Sequence, residues 1–157
     1  MTVPTDGRIV GLDLGSRRIG VAVSDRSRVL ATPRMTLERT GNLDADRRAI
    51  VRLVAEEEAT CVLVGLPLGL DGREGTAAQG ARAEARALAV ALAPAGVPVV
   101  LFDERFTTVT AHRLLASSGL DGRRRRAVVD RSSATVLVQA FLDGPVGQGE
   151  LVDPEAG

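Results

Sequence analysis

Two stretches rich in β-branched residues, 8–14 and 19–25, are separated by only four residues, Gly-Ser-Arg-Arg. Two such runs joined by a short turn that contains glycine predict a β-hairpin. Further along the chain, residues 61–66 and 97–102 are short and continuously apolar, which is typical of strands in a sheet covered on both faces. Residues 28–37 are a weaker strand candidate because they contain a proline. The chain is therefore expected to build its core around a sheet of five strands.

Helices are predicted between and after these strands, from apolar spacing and from helix-ending Pro and Gly, over residues 43–58, 76–93, 107–117 and 130–143. An antiparallel meander followed by strand-helix-strand crossovers predicts an α/β fold, with a mixed sheet and helices on both faces. A length of 157 residues corresponds to one domain, which we place at residues 1–143. The Pro- and Gly-containing stretch 144–157 predicts a disordered tail.

Composition excludes several classes of protein. The chain has 20 basic and 20 acidic residues, so its net charge gives no general argument for binding nucleic acid. No apolar run approaches the ~18 residues of a membrane helix, and the first ten residues do not resemble a signal peptide. We therefore expect a cytoplasmic protein without a membrane partner. The one cysteine, Cys61, excludes an internal disulfide and lies in an apolar run, which predicts a buried, inert thiol.

Asp13 is a carboxylate inside an apolar strand, between Leu12 and Leu14. A buried carboxylate is unfavourable unless it is paired or binds a metal ion. Gly11 and Gly15 share its face of the strand and leave room there for a ligand or for another segment of backbone. The alternative interpretation is a structural aspartate that caps the hairpin turn.

Asp130 is the second unusual carboxylate. On a helix it lies on one stripe with Ala134, Leu137 and Phe141, so it belongs to the apolar face. An aspartate that only caps the helix is the alternative.

Asp103 and Glu104 form an acidic pair at the end of the predicted strand 97–102. Their side chains point to opposite faces, so we expect one of the two to be solvated or to cap a helix. Carboxylates at several element ends would repel each other, and a hard divalent cation relieves that repulsion. Two such ions can stabilise the attacking and leaving oxygens of a phosphodiester. The carboxylates therefore predict phosphodiester hydrolysis that depends on Mg²⁺ or Mn²⁺, with two ions.

Arginines near these carboxylates are candidate phosphate contacts. They are Arg17 and Arg18 in the turn after Asp13, Arg105, and the run Arg123, Arg124, Arg125 and Arg126. A run beside a metal ligand can bind phosphates with a strong dependence on salt. The alternative for the run is a solvated loop.

Four blocks of sequence together resemble the YqgF family, in the order in which they occur there. They are GLDLGSRRIGVAVSD (11–25), VGLPLGLDGREG (64–75), FDERFTTVTAHRLL (102–115) and VVDRSSATVLVQAFLD (128–143). The resemblance covers residues 8–143. Members of this family are described as Holliday-junction resolvases and as pre-16S rRNA processing nucleases.

The resemblance implies a ribonuclease H-like fold, with Asp13, Glu104 and Asp130 as a metal-binding catalytic triad. The choice of Glu104 over Asp103 depends on the family. The sequence departs from the family pattern at Gly69, His112 and Ser133. None of these is a carboxylate, so the departures concern substrate preference rather than chemistry.

The leading hypothesis is a nuclease that acts on structured RNA, at the 5′ end of precursor 16S rRNA. An alternative with the same chemistry is a resolvase of four-way DNA junctions, for which symmetric cutting requires a two-fold dimer. An alternative from another class is a nucleic-acid-binding module that has lost catalysis. The sequence leaves open whether cutting is endo- or exonucleolytic, and whether the chain is a monomer or a weak dimer.

Overall fold

The structure is a computed structural model that describes residues 2–107, 110, 133–145 and 148–155. Its sheet has six strands, β1 (Ile9–Leu14), β2 (Arg18–Ser24), β3 (Ala31–Glu38), β4 (Cys61–Leu66), β5 (Val99–Asp103) and β6 (Glu150–Leu151). Their order across the sheet is β3-β2-β1-β4-β5-β6. Strands β1, β2 and β3 form an antiparallel meander, whereas β1, β4 and β5 are parallel. The predicted mixed sheet is confirmed, but the predicted count of five strands is wrong.

The additional strand is β6, which comes from the region predicted to be a disordered tail, 144–157. Leu151 pairs with Val100 of β5 in an antiparallel ladder. The next residue, Val152, donates its N–H to Val99 O at 2.9 Å and is 8% exposed. This segment covers the edge of β5, which would otherwise present unpaired backbone groups. The prediction of disorder is therefore wrong for this part of the tail. A strand of only two residues is too short to show an alternation of apolar and polar side chains in the sequence.

Among the described residues, three α-helices flank the sheet, α1 (Leu43–Glu56), α2 (Thr76–Leu92) and α3 (Ser133–Asp143). Helix α1 begins where the Asn42 side chain accepts a hydrogen bond from Ala45 N at 3.1 Å, as an N-cap does. It ends two residues earlier than predicted, and Glu58 beyond it has a φ of 53°, which is outside the helical region.

Alternation along the strands divides the core into two layers. Side chains such as Val10, Leu12 and Val64 pack with α1 and α2 on one face. Ile9 and Leu63 pack with α3 on the other face. Helices therefore cover both faces of the sheet, as predicted.

Helix α3 is attached to the meander by one buried polar side chain, Gln139, which is 6% exposed. Its Oε1 accepts a hydrogen bond from Ala31 N at 2.9 Å, and its Nε2 donates to Val29 O at 3.1 Å and to Asp143 Oδ1 at 3.0 Å. The amide thus satisfies backbone groups at the start of β3 and holds α3 against this part of the sheet.

The turn between β1 and β2 is held from the other face by Arg39. Its Nε donates to Gly15 O at 2.7 Å, and its two terminal nitrogens bond the Glu84 carboxylate of α2 at 2.9 and 3.2 Å. Asp46 lies 4.0 Å from the same guanidinium. Because the Arg39 side chain is only 12% exposed, these contacts are shielded from solvent.

Several predicted features lie wholly or mostly outside the described residues. They are the helix over 107–117, the start of the last helix at Asp130, and the arginine run at 123–126. Within the part of the chain that the structure describes, no helix is both long enough and apolar enough to cross a membrane.

Candidate active site

Asp13 lies near the carboxyl end of β1, on the sheet face that α3 covers. Its partner across the antiparallel ladder is Gly20 of β2. A Cβ built on Gly20 would lie 3.7 Å from both Asp13 Cβ and Ala134 Cβ, so the first turn of α3 lies beside Asp13. Asp13 itself is half-buried.

The glycines that flank Asp13 make room for protein rather than for a ligand. A Cβ on Gly11 would lie 2.1 Å from Val138 Cγ2 of α3, and a Cβ on Gly15 would lie 2.6 Å from Arg18 O in the turn. The expected close approach of backbone is therefore found at Gly15, whereas Gly11 makes room for the Val138 side chain.

Glu104 follows β5 and begins a short 3₁₀ turn, Glu104–Phe106. Asp103 caps this turn, since its Oδ1 accepts a hydrogen bond from Arg105 N at 2.9 Å. The Arg105 guanidinium also donates to both oxygens of Asp103, and this pairing lowers the pKa of Asp103. Of the two neighbouring acids, Asp103 is therefore the capping one, which leaves Glu104 available to the site.

Asp13 and Glu104 meet as a hydrogen-bonded carboxyl pair. The pKa of Glu104 rises from 4.5 to about 7. Burial is the main cause, and the charge of Asp13 and the hydrogen bond between the two carboxyl groups also contribute. Burial also raises the pKa of Asp13, although the hydrogen bond from Glu104 opposes that increase. Two carboxylates in contact resist simultaneous ionisation, so the second proton is difficult to remove without a cation.

The strand between these two acids contributes Gly65, a residue that the sequence analysis did not single out. A Cβ on Gly65 would lie only 2.4 Å from Glu104 Oε1, so the Glu104 carboxyl rests directly on this glycine. The available sequence signal was a glycine inside the otherwise apolar strand Cys61–Leu66, which often marks a close approach.

The pair has the chemistry of a site for a hard divalent cation. Both groups offer carboxylate oxygens, which Mg²⁺ prefers, and burial together with the charge of Asp13 raises the pKa of Glu104. Among residues 2–107, 110, 133–145 and 148–155, no group of three or more His, Cys, Asp or Glu side chains is placed to hold a metal ion. The third predicted ligand, Asp130, lies outside those residues.

The described part of the Asp130 stripe packs as predicted. Ala134, Leu137 and Phe141 are 4%, 2% and 8% exposed and belong to the core layer between α3 and the sheet. Asp130 precedes the described start of α3 by three residues, and that start lies beside Asp13.

The predicted phosphate-binding arginines differ in their surroundings. Arg18 pairs with Glu38 of β3 at 2.9 Å on the exposed surface, and Arg105 is held by Asp103. Arg17 is exposed at the β1–β2 turn and has no ion pair with another described residue. Neither Arg18 nor Arg105 is a free cation, while Arg123 to Arg126 lie outside the described residues.

Two further features lie away from the carboxyl pair. A cavity of about 640 Å³ lies between the β1–β2 turn and helices α1 and α2, and neither Asp13 nor Glu104 lines it. Cys61 is fully buried, as predicted, and burial raises the pKa of its thiol to about 11.

Comparison with known proteins identifies the family. The family model described as the Holliday junction resolvase RuvX matches residues 7–144. The chain belongs to the RuvX family. This is the YqgF family that the four sequence blocks resemble, so that resemblance is confirmed.

Curated relatives of this RuvX family member carry the name "Putative pre-16S rRNA nuclease". A protein of this name from Mycobacterium sp. (strain KMS) is 46% identical over 89% of this chain and 82% of the relative. Another, from Rhodococcus opacus (strain B4), is 43% identical over 98% of this chain and 91% of the relative.

Among solved structures, Thermus thermophilus RuvC in complex with a Holliday junction substrate superposes with a TM-score of 0.60. The match covers 93% of this chain and 99% of RuvC at 14% identity. It confirms the predicted ribonuclease H-like fold.

Proposed function

We propose that this protein is a divalent-cation-dependent nuclease that hydrolyses phosphodiester bonds at the Asp13–Glu104 pair. The observation that carries the proposal is the meeting of these two carboxyl groups at the carboxyl ends of β1 and β5, with one pKa raised to about 7. Ligands of α/β sheets bind beyond this edge. Membership of the RuvX family and the names of the curated relatives support the same activity.

In this proposal Asp13, Glu104 and Asp130 hold Mg²⁺ or Mn²⁺. When bound, a pair of such cations stabilises charge on the phosphoryl oxygens and lowers the pKa of water. Asp13 and Glu104 fix where the cation and therefore the scissile phosphate lie, and both must be ionised to do so. The arrangement requires no covalent intermediate with the protein.

We propose precursor 16S rRNA, cut near its 5′ end, as the substrate, on the basis of the relatives' names. With this substrate, we still expect the protein to be cytoplasmic. The test is incubation of one pure preparation with a precursor rRNA fragment and with a four-way DNA junction, in Mg²⁺ and in EDTA. Mapping of the product ends distinguishes endo- from exonucleolytic cutting. Cleavage of neither substrate in Mg²⁺ or Mn²⁺ would contradict the proposal and favour a catalytically inactive binding module.

A four-way DNA junction is the second candidate substrate. It is favoured by the family description and by the RuvC-like fold. Symmetric resolution requires a two-fold dimer that places two active sites on opposite strands. Sedimentation of the protein with and without a junction tests for the dimer that this candidate requires. Mapping of the product ends tests for the paired, symmetric nicks.

We propose that Arg17 and Arg123 to Arg126 contact substrate phosphates. Arg18 and Arg105 contribute in this proposal only if substrate displaces their acidic partners. Replacement of Arg123 to Arg126 by alanine should weaken RNA binding and reduce the log–log salt slope by ~0.7–0.9 for each lost contact. An unchanged slope would identify the run as a solvated loop.

A further inference from the structure

Gly65 occupies the position between the two carboxylates of the site. Strand β4 lies between β1 and β5, and Gly65 pairs with Phe102 of β5. On β4 it shares a face with Cys61 and Leu63, which belong to the core layer under α3. Asp13 and Glu104 can therefore contact each other only by reaching across β4 at this residue.

The Glu104 side chain lies against Gly65 along much of its length. A Cβ on Gly65 would lie 2.4 Å from Oε1, 3.1 Å from Cγ and 3.2 Å from Cδ of Glu104. The φ of Gly65 is not among the positive values of the chain, so its backbone conformation does not itself require glycine. Only the space that Glu104 occupies requires the missing side chain.

We propose that Gly65 is a positioning residue, whose bare Cα lets the Glu104 carboxylate reach Asp13 and so sets the spacing of the two cation ligands. This inference rests on the proposed cation-dependent function. A methyl group at position 65 would displace Glu104, which is a flexible side chain able to rotate away. Substitution should therefore impair cation binding far more than it impairs folding.

Gly20 provides a matched control on the opposite side of Asp13. It is also a strand glycine, and it pairs directly with Asp13. A Cβ there would meet its nearest neighbours at 3.7 Å, an ordinary contact distance. Gly65→Ala and Gly20→Ala thus make the same chemical change on the two strands that flank β1, and only the first displaces a carboxylate.

The experiment measures Mn²⁺ binding to the full chain by electron paramagnetic resonance, with thermal unfolding followed in parallel. We expect Gly65→Ala to weaken Mn²⁺ binding by at least about tenfold, the lower range found when a ligand loses its support. Gly20→Ala should stay within about twofold of the wild type. Equal affinities for wild type and Gly65→Ala would overturn the inference while leaving the proposed function intact.

A double-mutant cycle shows whether Gly65 acts through Glu104. If it does, Gly65→Ala should cause no further loss of Mn²⁺ affinity in a Glu104→Ala background, because the displaced group is already absent. Independent, additive losses would contradict the inference. If Gly65→Ala fails to fold, folding of the double variant supports the proposed contact, and unfolding of both variants contradicts it. A wild-type protein that binds no Mn²⁺ overturns the proposed function together with this inference.

Discussion

Asp13 lies on β1 and Glu104 directly follows β5, two strands that are not neighbours in the sheet, yet the two carboxyl groups share a hydrogen bond across β4. Burial, together with the charge of Asp13, raises the pKa of Glu104 to about 7, because both disfavour its ionised form. The molecule thus holds together two groups that repel each other once both are ionised. Such an arrangement is common at functional sites, where a ligand compensates for the unfavourable charge.

Asp13→Asn should abolish cleavage while preserving the fold. The amide keeps the size of the side chain but removes a charged cation ligand. Activity should therefore fall by more than the factor of about 10–100 that is typical when a residue supporting a ligand is lost. Without metal, the variant should be at least as stable as the wild type at pH 8, because a buried charge is removed. Turnover in Mg²⁺ and thermal unfolding in EDTA check these outcomes. Near-wild-type turnover would exclude Asp13 as a ligand.

The stability of the metal-free protein should decrease as pH rises toward and through about 7. Folded Glu104 keeps its proton over a range, from about 4.5 to about 7, in which the unfolded chain has lost it. Folding therefore takes up a proton in this range, and the free energy of unfolding falls with increasing pH. The raised pKa of Asp13 acts in the same direction.

Urea unfolding at pH 5 and pH 8 in EDTA measures this dependence. Glu104→Gln should reduce the difference between the two pH values, and Mg²⁺ should restore stability to the wild type at pH 8. A wild-type protein that becomes more stable through this range would contradict the assignment.

Arg39→Ala should destabilise the protein by about 2 kcal/mol, since it leaves the half-buried Glu84 and the buried Asp46 without their cation. Glu84 and Asp46 are its shielded acidic neighbours. Arg18→Ala is the matched control, because the Arg18–Glu38 pair is exposed and should contribute less than about 1 kcal/mol. Chemical denaturation of both variants makes the comparison. Similar losses in the two would show that the Arg39 cluster is screened by solvent.

Gln139→Leu should cost about 2 kcal/mol, because the buried N–H of Ala31 loses its acceptor. Gln139→Glu keeps an acceptor for that N–H but sets a buried carboxylate against Val29 O and Asp143, so it should cost at least as much as Gln139→Leu. Gln79→Leu on the exposed surface of α2 serves as the control and should stay within about 0.5 kcal/mol of the wild type. Equal stability of Gln139→Leu and the control would show that the hydrogen bonds of Gln139 do not stabilise the fold.

Local pattern in the sequence determined most of the architecture. The β-branched runs and the continuously apolar segment Cys61–Leu66 predicted the meander and the parallel strands. Their side chains are those that a half-covered or a fully covered sheet buries. Asp13 was identified for the same reason, since a carboxylate between Leu12 and Leu14 conflicts with burial. The stripe Ala134, Leu137 and Phe141 correctly predicted the buried face of α3.

Only the tertiary structure decided which of these groups meet. The contact of Asp13 with Glu104, the close approach at Gly65 and the pairing of Arg105 with Asp103 depend on strand register and side-chain direction. Strand β6 likewise exists because an open edge of β5 is available, not because its two residues prefer to be extended. Composition and spacing specify what each segment buries. The distances between segments follow from packing that involves the whole chain.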